Sequence, residues 1–282
     1  MIIEEVAPVQ LSVMRWVIAS IVFLPFVFKE LKQNKEILKK NWKALLILAI
    51  TGIAGFNTLL YIAIQYTTSI NASLMNSTAP LLIVLLSVFF LKEKMLKIQY
   101  IGVIVSFIGV FFVITGGSLE TLWNLTVNPG DLVVFAAVIM WSTYSVLMKK
   151  FGVNLPKKPT FIITIYIGIL VLIPFALFER TYQPVSLTSL SVEVILGIVY
   201  LGIFPSIISF ICWNEGVMQV GPGKASNYLH LIVLFTTILA VAFGGETLLL
   251  TQIIGGFFIL SGVVVASNPH FLTKNLTIPL KQ

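Results

Sequence analysis

Hydrophobic residues in this chain come in long unbroken runs instead of alternating with polar ones. Nine such runs lie near residues 8–28, 43–65, 69–91, 97–115, 130–150, 160–178, 193–214, 224–244 and 250–267. About 20 residues of helix cross the hydrocarbon core of a bilayer, so each run reads as a membrane-spanning helix. Strands of a membrane barrel would alternate apolar and polar positions, which these runs do not. The pattern therefore predicts an all-α integral membrane protein with nine transmembrane helices joined by short connections.

The runs repeat. Glu93, Gln99, Ile101, Gly102, Gly109 and Val110 reappear as Glu246, Gln252, Ile254, Gly255, Gly262 and Val263, at one constant offset of 153 residues. Ala72-Ser73 and Ala225-Ser226 share that offset, and "LPFVFKE" at 24–30 resembles "IPFALFE" at 173–179. The first span is thus equivalent to the sixth, and the fifth has no counterpart in the first half. Residues 1–115 read as a first repeat of four helices, 116–129 as a connecting loop, 130–268 as a second repeat of five, and 269–282 as a tail. A full unit of five helices is odd in number, so successive units would insert in opposite orientations. Inverted repeats are a signature of secondary transporters.

Charge fixes an orientation. Sixteen of the 18 basic residues fall on every second connection or the tail, including Lys29 to Lys43, Lys92 to Lys97, Lys149 to Lys158, Lys224, Lys274 and Lys281. Only Arg180 lies on the opposite side, and Arg15 sits inside the first span. The lysine side is read as cytoplasmic, which places the C-terminus inside. With 58% hydrophobic and 10% charged residues, and mean hydropathy +1.01, the +7 net charge reads as membrane orientation and not as nucleic-acid binding. The single cysteine, Cys212, excludes an internal disulfide.

Polar residues inside spans are the candidate site. Asn57 and Tyr61 share a helical face, as do Ser69, Ser73, Asn76 and Pro80, then Ser206, Phe210 and Asn214. Trp141, Ser145 and Met148 share another, with Tyr144 beside them, and Asn227 lies one turn before His230. Each stripe has a structural reading as helix–helix hydrogen bonding and a functional one as cavity lining. Arg15 reads either as a gating or substrate-carboxylate contact, or as a structural tie to backbone carbonyls. Glu93 and Glu246 read as caps or loop contacts at span ends. No phosphate-binding loop, metal-ligand cluster or catalytic constellation appears, so no cofactor, metal or enzymatic role is expected.

Pro8 with Arg15 and Pro25-Phe26, the small residues and Pro80 before "LKE" and "GGE" that lead to Gln-x-x-Gly, and "WSTYSVLMKK" at 141–150 together resemble the EamA-like branch of the drug/metabolite transporter superfamily. That resemblance covers nearly the whole chain. It implies ten helices in two inverted five-helix units around a central cavity, here without the first helix. It also implies a secondary transporter that exports a small metabolite or amphipathic organic compound across the plasma membrane by alternating access. Asn57, Tyr61, Asn76, Trp141, Tyr144, Asn214, Asn227 and His230 are accordingly expected to line one cavity suited to an amphipathic or aromatic solute. The competing reading is a non-transporting membrane scaffold or an inactive truncated carrier.

The unmatched fifth span gives an expectation about the gene. The region upstream of the Met1 codon is expected to encode, in frame, ~20–30 further residues forming an apolar helix. Sequencing that region tests it: an immediate in-frame stop, with transport by the nine-span protein intact, would contradict the expectation.

Overall fold

Hydrocarbon offers a backbone no water to bond with, so each segment must satisfy its own amide and carbonyl groups, and a helix does this locally. The computed structural model describes residues 5–124, 128–185, 190–244 and 249–267, among which the regular elements are all helices. Eight are long and apolar enough to cross a membrane: α1 Pro8–Gln33, α2 Trp42–Ala63, α3 Asn71–Leu91, α4 Lys97–Thr115, α5 Pro129–Gly152, α6 Lys157–Tyr182, α7 Val192–Val220 and α8 Pro222–Phe243. A ninth apolar helix, α9, is shorter, Leu250–Ala266. Glu246, expected to close the eighth span, lies outside the described residues.

The chain divides into two compact units. The first comprises Met1–Thr67 and Pro129–Gln219, hence α1, α2, α5, α6 and α7. The second comprises Thr68–Asn128 and Val220–Gln282, hence α3, α4, α8 and α9.

In the first unit α6 lies along α1, and their ends are tied. Glu179 of α6 accepts from the backbone N–H groups of Val9 and Gln10 at 3.0 and 2.9 Å. These are among the amides that the first turn of α1 leaves without intrahelical partners, and a carboxylate suits the positive end of the helix dipole. At the other end Glu30 of α1 pairs with Lys158 of α6 at 3.5 Å. Two spans carry a π-helical turn, Ala49–Gly55 in α2 and Phe204–Ile208 in α7. Such turns break the regular ladder and release carbonyls for other donors. The Ile53 carbonyl, within the first of these turns, accepts from the Trp16 indole at 3.0 Å.

In the second unit α4 and α9 meet along glycines. A Cβ on Gly262 would stand 2.4 Å from the Ser106 nitrogen and 2.5 Å from the Gly102 oxygen. One on Gly109 would stand 2.6 Å from both the Gly255 oxygen and the Ile259 nitrogen. The helices therefore approach backbone to backbone. This matters because lipid tails are as apolar as leucine and supply no hydrophobic drive for helix association; close packing replaces it. Large apolar side chains such as Phe26, Phe89 and Phe257 point outward, as lipid-facing positions do.

Gly262→Val is expected to force α4 and α9 apart and to destabilise the protein by about 1–3 kcal/mol, the usual range for overpacking. Gly216→Ala on α7, whose Cβ would meet nothing within 4 Å, is the control. Thermal unfolding of the detergent-purified protein checks both. Equal melting temperatures for the two variants would contradict the packing argument.

Candidate functional site

The first unit brings polar and aromatic side chains from five spans into one interior cluster. Phe210 of α7 is its hub. Its ring lies 5.2 Å from Trp16, 5.5 Å from Trp141, 5.8 Å from Tyr144 and 5.9 Å from Phe161, centroid to centroid. Trp141 also stacks on Tyr144 at 5.7 Å and packs against Phe56 and Trp213. Edge-to-face and offset contacts of this kind hold aromatic rings in set orientations. The Tyr144 ring fits because residue 52 is glycine: a Cβ there would stand 2.3 Å from the ring.

Within this aromatic wall several polar groups find partners. The Tyr144 hydroxyl donates to Asn214 Oδ1 at 2.9 Å, and both residues are buried. The Trp213 indole donates to the Ser145 hydroxyl at 3.1 Å. Asn214 also lines an open pocket whose walls include Phe23, Met148, Phe161, Ile211 and Met218. Lys157, Lys158 and Glu215 stand at its rim. Lys157 pairs with Glu215 at 2.7 Å, and Gln219 donates to the same carboxylate at 2.8 Å. With Lys158 held by Glu30, the lysines at the rim are charge-compensated, and the pocket interior is left to apolar rings, thioethers and one carboxamide. That combination suits a solute with an apolar body and a few hydrogen-bonding groups.

Stacked on Trp16 sits Arg15, fully buried on α1. Its Nε donates to Ser206 Oγ at 2.9 Å and its Nη1 to the Tyr61 hydroxyl at 2.7 Å. The guanidinium carbon lies 4.7 Å from the Trp16 ring centroid. One turn away, the hydroxyls of Thr58 and Ser12 bond at 2.8 Å. Ser206 belongs to the π-helical turn of α7, and its hydroxyl donates in turn to the Leu201 carbonyl five residues back.

Of the eight residues expected to share one cavity, Asn57, Tyr61, Trp141, Tyr144 and Asn214 belong to the first unit. Trp141, Tyr144 and Asn214 meet directly. Tyr61 meets Arg15 instead, and Asn57 is half-buried on the same face of α2. Asn76, Asn227 and His230 belong to the second unit. There His230 Nε2 lies 3.2 Å from the Ser77 carbonyl and Nδ1 lies 2.6 Å from Ser106 Oγ. A carbonyl only accepts, so Nε2 carries the proton of the neutral ring and Nδ1 accepts from the serine. Asn76 is half-buried, and the amide of Asn227 is buried with no hydrogen-bond partner among the described residues. Trp16, Phe161 and the Lys157–Glu215 pair belong to the site although apolar or terminal positions alone did not mark them. The adjacency of Trp16 to the single intramembrane arginine was the available signal.

The chain matches the EamA-like transporter family over residues 1–115 and 128–268. It is 34% identical over 260 residues to the uncharacterized transporter YyaM of Bacillus subtilis, covering 91% of this chain and 84% of that one. An uncharacterized transporter of Archaeoglobus fulgidus is 26% identical, with 94% and 89% covered. Protein PecM of Dickeya dadantii is 27% identical over 248 residues, with 86% and 79% covered. A solved structure titled "Crystal structure of protein" superposes with a TM-score of 0.77 at 21% identity, over 96% of this chain and 90% of that one. Sequence and fold thus agree, and the chain belongs to the EamA-like transporter family.

Proposed function

We propose that this membrane transporter is a secondary carrier that exports a small amphipathic or aromatic solute across the plasma membrane by alternating access. The observation that carries the reading is the buried Tyr144–Asn214 pair, whose asparagine lines an apolar pocket that also has ion-paired residues in its lining. Such a pair holds an oriented carboxamide where a solute entering between Phe161 and Met148 would meet it. Trp141 and Phe210 behind it supply stacking faces. With the lysine-rich connections on the cytoplasmic side and the C-terminus inside, the pocket mouth at Lys157 and Lys158 faces the cytoplasm, as loading for export requires.

Alternating access by two inverted repeats, residues 1–115 and 130–268, is supported by reciprocal contacts inside each unit. Shifting Ala49–Gly55 by the 153-residue offset overlaps the second π-helical turn, Phe204–Ile208. Gly102 meets Gly262 while Gly109 meets Gly255, which are the same two positions exchanged between repeats. Glu30 serves the start of α6 as its equivalent Glu179 serves the start of α1. A pseudo-two-fold relation generates contacts of this exchanged form. The eight residues Asn57, Tyr61, Asn76, Trp141, Tyr144, Asn214, Asn227 and His230 are the proposed substrate-contacting set.

Counterflow in proteoliposomes with labelled indole derivatives tests the reading. Saturable flux is expected, reduced about tenfold by Asn214→Ala and by Tyr144→Phe, as loss of an oriented hydrogen bond predicts. Absence of flux from folded protein for every aromatic solute tried would favour the scaffold reading. Slower release of the solute from cells lacking the gene is expected if transport runs outward.

A further inference from the structure

We propose that Arg15 supplies the counter-charge for a carboxylate on the transported solute, so that the substrate class is an aromatic or amphipathic carboxylic acid. The inference rests on the transporter reading and deepens it. A guanidinium stays cationic in proteins, and a buried charge ordinarily has an opposite one beside it. Arg15 is fully buried, yet its side-chain partners are the neutral hydroxyls of Ser206 and Tyr61 and the face of Trp16. No carboxylate among the described residues pairs with it. A purely structural bridge from α1 to α2 and α7 needs donors but no charge, and a neutral amide would provide them without the cost of burying a cation.

The hydrogen count points the same way. Ser206 takes the Nε proton and Tyr61 takes one proton of Nη1, while Nη2 has no hydrogen-bond partner. One N–H on Nη1 and both on Nη2 are left, on the two nitrogens whose end-on fork matches the two oxygens of a carboxylate. The neighbouring Ser12–Thr58 pair is mutually satisfied and makes no competing demand. From Arg15 the packed aromatic chain Trp16–Phe210–Phe161 runs to the pocket that Asn214 lines, so an apolar body attached to that carboxylate would lie against aromatic faces once the chain opens. Arg15 is enclosed in this conformation. The contact therefore requires the π-helical turn carrying Ser206 to yield during the transport cycle, and π-helical turns interrupt the regular ladder at the point of movement.

Binding of matched acids and amides to the purified full chain tests the proposal, with 1-naphthoate against 1-naphthamide and indole-3-acetate against indole-3-acetamide. The acids are expected to bind about tenfold tighter or more, the worth of a charge-assisted hydrogen bond. Arg15→Gln should abolish the preference, Arg15→Lys should retain it in weakened form, and Tyr61→Phe, which keeps the charge, should leave it in place. Equal binding of acid and amide by the unaltered protein, binding of neither, or a preference that survives Arg15→Gln would overturn the proposal. The comparison on the unaltered protein and on Arg15→Lys decides the matter even if Arg15→Gln does not fold. Saturable flux of neutral aromatic solutes without acid preference would sink this inference and leave the transporter reading standing; absence of all flux would sink the transporter reading itself.

Discussion

A polar group inside a bilayer has no water to fall back on, and this constraint governs the chain. Every backbone amide must be met within the protein, which is why the described elements are helices. The same constraint removes the usual driving force for packing, since an apolar face is as content against lipid as against another helix. Cohesion must come from close approach and from buried hydrogen bonds. The glycine crossing of α4 with α9 supplies the first in one unit. The Glu179 cap, the Ser12–Thr58 pair and the Trp16–Ile53 bond supply the second in the other.

The π-helical turns connect that economy of hydrogen bonds to the candidate site. The Ile53 carbonyl, within the turn of α2, gives the buried Trp16 indole its acceptor. The equivalent turn in α7 places Ser206 where it can accept from Arg15 while donating within its own helix. The two distorted spans therefore hold one indole and one guanidinium that stack on each other, with the indole against the Phe210 ring. In both turns an irregular stretch of helix carries the acceptor of a buried polar side chain. At the pocket rim the opposite solution applies: Lys157 and Lys158 reach water, and their carboxylate partners there are exposed and individually weak.

The sequence by itself determined the class of structure, because the physics that reads out there is local and one-dimensional. A run of about 20 apolar residues has few options other than a spanning helix. The spans, the membrane setting, the family and the 153-residue periodicity were all legible in that way. Eight of the nine expected spans meet the length of a crossing helix and the ninth is a shorter apolar helix. Asn214 and Tyr144 were legible as candidates for a related reason: a carboxamide or phenol in an apolar run is costly unless it is met, so its presence alone signals a partner.

Which partner meets which donor was decided only by tertiary structure. Arg15 lies 46 residues from Tyr61 and 191 from Ser206 in the chain, and nothing in their local spacing pairs them. Phe210 looks like any other phenylalanine in an apolar helix until four rings converge on it. The pairing of Gly102 with Gly262 and of Gly109 with Gly255 likewise depends on how α4 crosses α9. Hydropathy records how much each residue prefers lipid to water. Helix crossing, backbone release at a π-helical turn and aromatic stacking depend on directions in space, and those exist only once the helices have packed.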